Sequence, residues 1–277
     1  MATTPTRTDA VSKAPATQQP RSYREMLNYL LPTKSVGSDV YVPRITTNNP
    51  SDPKQLNDFD HWHGADGKNP HTHVGTDLTF GKLNATTGAV DYVPTKDSVN
   101  QNVSVGAPVG GVLSVVNNSG TNEVRITTPS GMVFSVMHMS GLDTSLNGKE
   151  VAPGTPIGTM AGEGAGGVVH VHLTAFQTTA VQNSDGSTTQ QTRYYDPQEV
   201  IDLGTTGRYV VKSDLPKRPE VAVVETAASL EFQRSNTNPI GAGQTEVTDS
   251  RTVATVDGVR TVTSTFGGQT IVNTYDS

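Results

Sequence analysis

The sequence predicts a mainly β protein: an antiparallel β-sheet domain with an extended N-terminal arm and a small C-terminal β-meander. Three observations carry that reading. From about residue 61 to residue 204, short Val/Ile/Thr-rich runs alternate with Gly, Pro and Asn turn residues. No long helical period interrupts them. Near the C-terminus, three alternating runs are separated by Asp257-Gly258 and Gly267-Gly268, dipeptides suited to tight hairpin turns.

Residues 1–21 are small, polar and Pro-punctuated and read as disordered. Ser22-Tyr23-Arg24-Glu25 then has the spacing of a capping box, ahead of Met26-Leu27-Asn28-Tyr29-Leu30-Leu31. Pro32 ends the run, so a short helix is expected near residues 22–31. So short a helix is marginal alone. Its apolar face needs a surface, either its own domain or another subunit. Residues 33–60 are polar and rich in Pro, Asn and Asp, as in a linker or wrapping arm. Residues 1–60 thus form the expected arm.

The main domain is expected over residues 61–204. Its clearest strands are Val103–Val105, Gly111–Val116, Glu123–Thr127 and Val133–Met137. Asn118 to Thr121 and Pro129-Ser130-Gly131 read as hairpin turns. Residues 205–277 make a third region. Pro219 to Arg234 fits a helix or two strands; Thr252–Val256, Val259–Thr265 and Thr270–Thr274 form the meander. A lone three-stranded sheet has little core, so this region is expected to dock on the main domain or on a neighbour.

Composition narrows the function. The chain has 277 residues, of which 33% are apolar and 5% aromatic, lean for one compact core. There is no cysteine, which removes disulfides, thiolate metal sites and cysteine nucleophiles together. A net charge of −6 without a basic run argues against nucleic acid as the partner. No apolar stretch approaches about 18 residues, so no membrane span is expected. Met1 to Pro20 has no apolar signal-peptide core.

The chemistry concentrates in the histidines. All seven (His61, His63, His71, His73, His138, His170 and His172) fall in the middle region. Imidazole is the commonest metal ligand and general base. His73 and Asp77 are four apart and share a face on a helix or a strand; Gly75 favours the strand. His170-Val171-His172 puts two imidazoles on one strand face, roughly 7 Å apart at Cα. Both could bind one metal, or one could bind while the other stands beside water. His138 follows the strand Val133–Met137, at a strand-to-loop edge. Two imidazoles and a carboxylate would leave one position of a tetrahedral zinc open. A site without thiolate also accepts manganese or iron. Gly162-Glu163-Gly164-Ala165-Gly166-Gly167 matches a phosphate-loop pattern, but a Val/His strand follows it rather than a helix. Those glycines fit a tight turn that delivers His170 and His172.

Four elements in order then carry a resemblance. They are His73-x-Gly75-x-Asp77, Val136-Met137-His138-Met139-Ser140, Val151-x-Pro153-Gly154-x-Pro156-Ile157-Gly158, and His170-Val171-His172-Leu173 after a Gly-rich turn. Together they resemble the lysostaphin-type (LytM-like) zinc metallopeptidases, over roughly residues 60–204. Asp196-Pro197 through Leu203 is similar to the family's closing segment. Met137 and Met139 beside His138, and Ala175 beyond Leu173, depart from the family pattern without touching a ligand or base.

The resemblance implies an antiparallel β-sheet metallopeptidase domain with an open groove over the metal. It implies Zn2+ held by His73, Asp77 and His172, with His138 and His170 catalytic. His170 would be the base or would position water; His138 would donate to the oxyanion or the leaving amine. The implied substrates are peptide cross-links of bacterial peptidoglycan. The acidic chain, its polar arms and the missing signal peptide extend this to a phage product. The expectation is a tail-tip or virion-associated lysin that meets other virion proteins through the N-terminal arm and C-terminal region and acts at the cell wall. A structural virion or assembly protein that keeps the fold with little activity is the alternative. His71-x-His73 offers a second ligand pair, and with Asp77 it superficially fits a cupin-like metal oxygenase or isomerase. That reading leaves His170 and His172 unexplained. No family role attaches to His61, His63 or His71.

Overall fold

The computed structural model describes residues 18–46, 57, 59, 62–63, 71–116, 120–183, 185–203, 209–211, 250–256, 259–266 and 269–275. Helix α1 (Tyr23–Leu30) is followed by strands β1 (Lys34–Val36), β2 (Asp39–Ile45), β3 (Trp62–His63), β4 (His71–Thr72), β5 (Thr76–Leu83), β6 (Val90–Asp91), β7 (Ser104–Gly106) and β8 (Gly111–Val116). Next come β9 (Glu123–Thr127), β10 (Val133–Met137), β11 (Met139–Ser140), β12 (Glu150–Val151), β13 (Pro156–Met160), β14 (Val171–Gln182) and β15 (Thr188–Tyr195). Helix α2 (Pro197–Leu203), β16 (Tyr209–Val211) and the strands β17 (Ser250–Val256), β18 (Val259–Phe266) and β19 (Gln269–Tyr275) complete the order. The protein is mainly antiparallel β, as expected.

The large sheet runs β1-β2-β5-β14-β10-β9-β8-β12, with β6 paired to β5 and β15 joining β14 to β16. A second sheet, β11-β13-β7, takes over where β10 ends. Alternation sorts the side chains of the central strands. Val124, Ile126, Phe134, Val136, Val171 and Leu173 are at most 1% exposed and make the core. Their neighbours in sequence, among them Arg125, Ser135 and His172, point to the opposite face.

Helix α1 forms where the sequence places it. Ser22 is the N-cap, in extended conformation, and its hydroxyl accepts from the Glu25 N–H at 3.2 Å. The return arm of the capping box is displaced by one residue: the Glu25 carboxylate accepts from the Arg21 N–H at 2.8 Å rather than from Ser22. The apolar face is covered by the protein's own domain. Met26, Leu27, Leu30 and Leu31 are 0% exposed in the main core cluster. The Tyr23 N–H donates to Asp202 of α2 at 2.7 Å, which ties the two helices. Leu27→Ala should therefore cost about 2–5 kcal/mol, the usual range for a leucine truncated in a packed core. Urea denaturation of the two proteins would measure it; a cost below about 1 kcal/mol would mean the face is not packed.

Residues 33–46, the described first part of the polar stretch 33–60, differ from a linker or wrapping arm. They hold β1 and β2, the edge of the large sheet, with Arg44 opposite Thr79 and Ile45 opposite Leu78. Pro43 is tolerated because the β1 pairing covers only Asp39, Val40 and Tyr41 of β2, so at Pro43 the ladder continues on the β5 side alone, opposite Phe80. Strands β17, β18 and β19 form an antiparallel meander with Val253 opposite Val262 and Val262 opposite Asn273. Both turn dipeptides of that meander, the Pro219–Arg234 segment and the first half of the Asn118–Thr121 turn lie outside the described residues. Among the described residues, no helix is long and apolar enough to cross a membrane.

Candidate metal centre

Three neighbouring strands of the large sheet deliver the site. Asp77 of β5 lies directly opposite His172 of β14, and His172 directly opposite Met137 of β10. His138 is the next residue after β10. His170 precedes β14 and forms an isolated bridge with Ala161. Ala161 holds both: its N–H donates to the His138 carbonyl at 3.1 Å, and its carbonyl accepts from the His170 N–H at 2.9 Å. The run 162–167 between them turns through Gly164, Gly166 and Gly167, all at positive φ. This agrees with the expected tight turn and not with a phosphate loop.

His73 departs from expectation in one respect. It lies ahead of β5, in a loop that bends at Gly75, rather than on the strand with Asp77. The bend still brings the two together, with His73 Nε2 3.3 Å from Asp77 Oδ1. Gly75 leaves room there for the ring of His172.

His73, Asp77 and His172 offer one ligand atom each, all within 4.8 Å of one another, and all three are buried. His73 Nε2 is 3.1 Å from His172 Nδ1, and His172 Nδ1 is 2.8 Å from Asp77 Oδ1. A tetrahedral zinc with bonds of about 2.0–2.1 Å has ligand-to-ligand edges near ~3.3 Å. The observed separations of 2.8, 3.1 and 3.3 Å lie at or a little below that value. The donor set therefore fits a divalent metal with N/N/O ligation and can hold one.

Two more imidazoles stand beside the group. His170 Nε2 is 3.5 Å from Asp77 Oδ1, and the His138 and His170 ring centroids are 4.8 Å apart. Each has its other nitrogen on a backbone carbonyl: His138 Nδ1 on Glu163 at 2.6 Å, His170 Nδ1 on Val168 at 2.8 Å. A carbonyl only accepts, so each Nδ1 carries the hydrogen. In the neutral rings Nε2 then keeps the lone pair, the form a base needs. His138 sits at φ 64°, a left-handed conformation that is uncommon for a residue with a Cβ. Such outliers collect at functional sites.

The electrostatics suit a cation. Burial of Asp77 alone would raise its pKa, but the neighbouring His73 and His170 and the hydrogen bond to His172 outweigh that and hold it well below the usual carboxylate range. Burial pushes His172 down to about 4, against the pull of Asp77, so its ring is neutral at pH 7. Burial also lowers His138, against the Glu163 carbonyl. An ionised carboxylate and neutral imidazoles are the protonation states that ligate metal.

No protein-family model matches the chain, and no curated protein matches it either. Solved structures do show similarity. A LytM protein of Ruminococcus gnavus ATCC 29149, assigned as a glycyl-glycine endopeptidase, is 20% identical over 47% of this chain and 46% of its own, with a TM-score of 0.30. Lysostaphin in solution is 16% identical over 91% and 90% of the two chains, with a TM-score of 0.34. Lysostaphin of Staphylococcus simulans, an antimicrobial peptidase, is 14% identical over 94% and 92%, with a TM-score of 0.32. The chain thus spans under half of the first relative and most of lysostaphin.

The structure brings His73, Asp77, His138, His170 and His172 into one cluster. It places His63 opposite His71 in the β3–β4 pair. His61 and the side chains of His63 and His71 lie outside the described residues, so the second ligand pair, His71 with His73, does too. Asn57, which the sequence reading passed over, is buried against Asp77, with Nδ2 3.1 Å from Oδ2. One asparagine in an Asn- and Asp-rich stretch carries no local signal.

Proposed function

We propose that the protein is a zinc-dependent endopeptidase that cleaves peptide cross-links of bacterial peptidoglycan. The observation that carries this reading is the five-residue cluster. Three donors are spaced for one metal, and two imidazoles with Nδ1 committed to carbonyls stand beside it. His73, Asp77 and His172 hold the metal. Zinc bound there supplies Lewis acidity, which polarises an amide carbonyl and acidifies water. His170 takes the proton of the attacking water at Nε2. That proton goes to the leaving amine by way of His138, whose ring centroid lies 4.8 Å from that of His170. The cross-link substrate follows from the resemblance of the motifs at His73, His138 and His170 to lysostaphin-type enzymes. A phage tail tip or virion is the proposed setting, supported by the polar N-terminal segment and the separate C-terminal meander.

Metal content and release of new amines from purified peptidoglycan test this together. The expected result is about one zinc per chain, with amine release that a chelator stops and zinc restores. Zinc without amine release from several cell-wall types would instead favour an assembly role for a fold that has kept its metal.

His170→Ala separates ligand from base. Its Nε2 is not among the three ligand atoms, so zinc content should stay at the wild-type level. The rate should fall about a hundred- to ten-thousand-fold, the usual contribution of a positioned acid or base. Loss of zinc in this variant would make His170 a ligand and overturn the assignment.

A further inference from the structure

We propose that Asn57 is a positioning residue for the metal centre: it holds one oxygen of Asp77 aside, so that the carboxylate offers a single oxygen to the metal. The inference rests on the reading of His73, Asp77 and His172 as a metal site. The two carboxylate oxygens of Asp77 have separate surroundings. Oδ1 faces the imidazoles, 2.8 Å from His172, 3.3 Å from His73 and 3.5 Å from His170. Oδ2 accepts from the Asn57 side-chain amide at 3.1 Å. Asn57 is 2% exposed, and water does not compete for that bond.

The backbone makes Asn57 a rigid support. Its N–H donates to the Thr46 carbonyl at 2.9 Å, and its own carbonyl accepts from the Asp77 N–H at 2.9 Å. The Asp77 carbonyl in turn accepts from the Thr46 N–H at 2.8 Å. Asp77 is therefore tied to Thr46 and Asn57 through its N–H, its carbonyl and Oδ2. An amide NH2 only donates, so it consumes lone-pair capacity that Oδ2 would otherwise turn to a cation. A carboxylate free at both oxygens closes on a metal in bidentate fashion, as suits larger, oxygen-rich, six- to eight-coordinate ions. One oxygen with two imidazoles suits a four-coordinate ion with an open position. By this account Asn57 selects for zinc and keeps the reactive position open.

The test uses full-length protein with Asn57→Ala, which removes only the side-chain amide and keeps both main-chain bonds. Zinc affinity is read by competition with a chromophoric chelator, and coordination by the visible absorption of the cobalt(II)-loaded protein. Four-coordinate cobalt absorbs far more strongly than five- or six-coordinate cobalt. The expected result is a roughly ten- to hundred-fold loss of zinc affinity, the usual effect of removing a partner of a metal ligand, with a weaker cobalt spectrum. Wild-type zinc affinity and an unchanged cobalt spectrum in a cooperatively folded variant would overturn the proposal. If Asn57→Ala does not fold, the same two readings are made on Asn57→Asp, which keeps the shape but, ionised, cannot donate. Loss of affinity with a changed spectrum there supports the proposal, and neither change overturns it. A wild-type protein that binds no zinc would instead fail the reading of the metal site itself.

Discussion

His172→Ala is expected to remove zinc and hydrolysis together. His172 is the central donor, with Nδ1 2.8 Å from Asp77 Oδ1 and 3.1 Å from His73 Nε2. Without it, the remaining pair grips a metal from one side only. Zinc bound by four protein ligands is worth about 10–16 kcal/mol. Shared evenly, one ligand accounts for roughly two to three orders of magnitude in affinity. Zinc measured after dialysis against dilute chelator should be absent, and amine release should fall to background. Zinc retained with activity lost would move His172 from ligand to base and make His170 the candidate ligand.

The same substitution has a signature in the metal-free protein. His172 titrates at about 4 when folded, against an ordinary imidazole value near 6.5. Between those two values the unfolded chain binds the extra proton and the folded chain does not. Metal-free wild type should therefore lose stability as pH falls from about 6.5 to about 4. Asp77 stays ionised through that window, because its pKa is held well below the carboxylate range. His172→Ala should make this part of the profile shallower in thermal melts, leaving the part that the lowered His138 contributes. A wild-type melting temperature independent of pH over the window would mean the ring is not desolvated as described.

Much of this was legible in the sequence where a local rule operates. Strands β8, β9 and β10 match the Gly111–Val116, Glu123–Thr127 and Val133–Met137 runs, because their apolar residues alternate between turn residues. Helix α1 was legible from Ser22 and Pro32, which act within one turn. The convergence of His73, Asp77, His138, His170 and His172 was legible because imidazoles are scarce and here cluster in order. What escaped depends on topology. β2 carries a proline and sits among polar residues, yet register against β5 makes it a strand. β15 is a run of Thr and Gln whose pairing with the second half of β14 stands in for an apolar signal. Asn57 meets Asp77 only because β2 brings Thr46 alongside both. The bend that takes His73 off the strand depends on the ring packed beneath Gly75, which lies 97 residues further along the chain (172 − 75 = 97).

That packing makes Gly75→Ala the second large effect. Gly75 is not at a positive φ, so the conformation itself accepts alanine. By chain entropy alone the change would stabilise by about 0.4–1 kcal/mol. Sterics decide otherwise. A Cβ at residue 75 would stand 2.5 Å from the Leu173 carbonyl oxygen, 2.6 Å from His172 Nε2 and 2.9 Å from His172 Cε1. The Leu173 carbonyl belongs to β14 where Leu173 pairs with Thr76, so it cannot withdraw without parting the two strands. The His172 ring can turn only by moving Nδ1 away from Asp77 and His73. Overpacking of this kind costs about 1–3 kcal/mol, which exceeds the entropic gain. The expected outcome is a folded but destabilised protein whose zinc affinity falls by at least as much as in Asn57→Ala. Calorimetric melting with and without zinc separates the two effects, because a damaged site lowers the metal-dependent rise in melting temperature as well as the metal-free value. A Gly75→Ala protein with the full zinc-dependent rise would place the His172 ring elsewhere. The glycine at the centre of His73-x-Gly75-x-Asp77 would then be a matter of loop geometry alone.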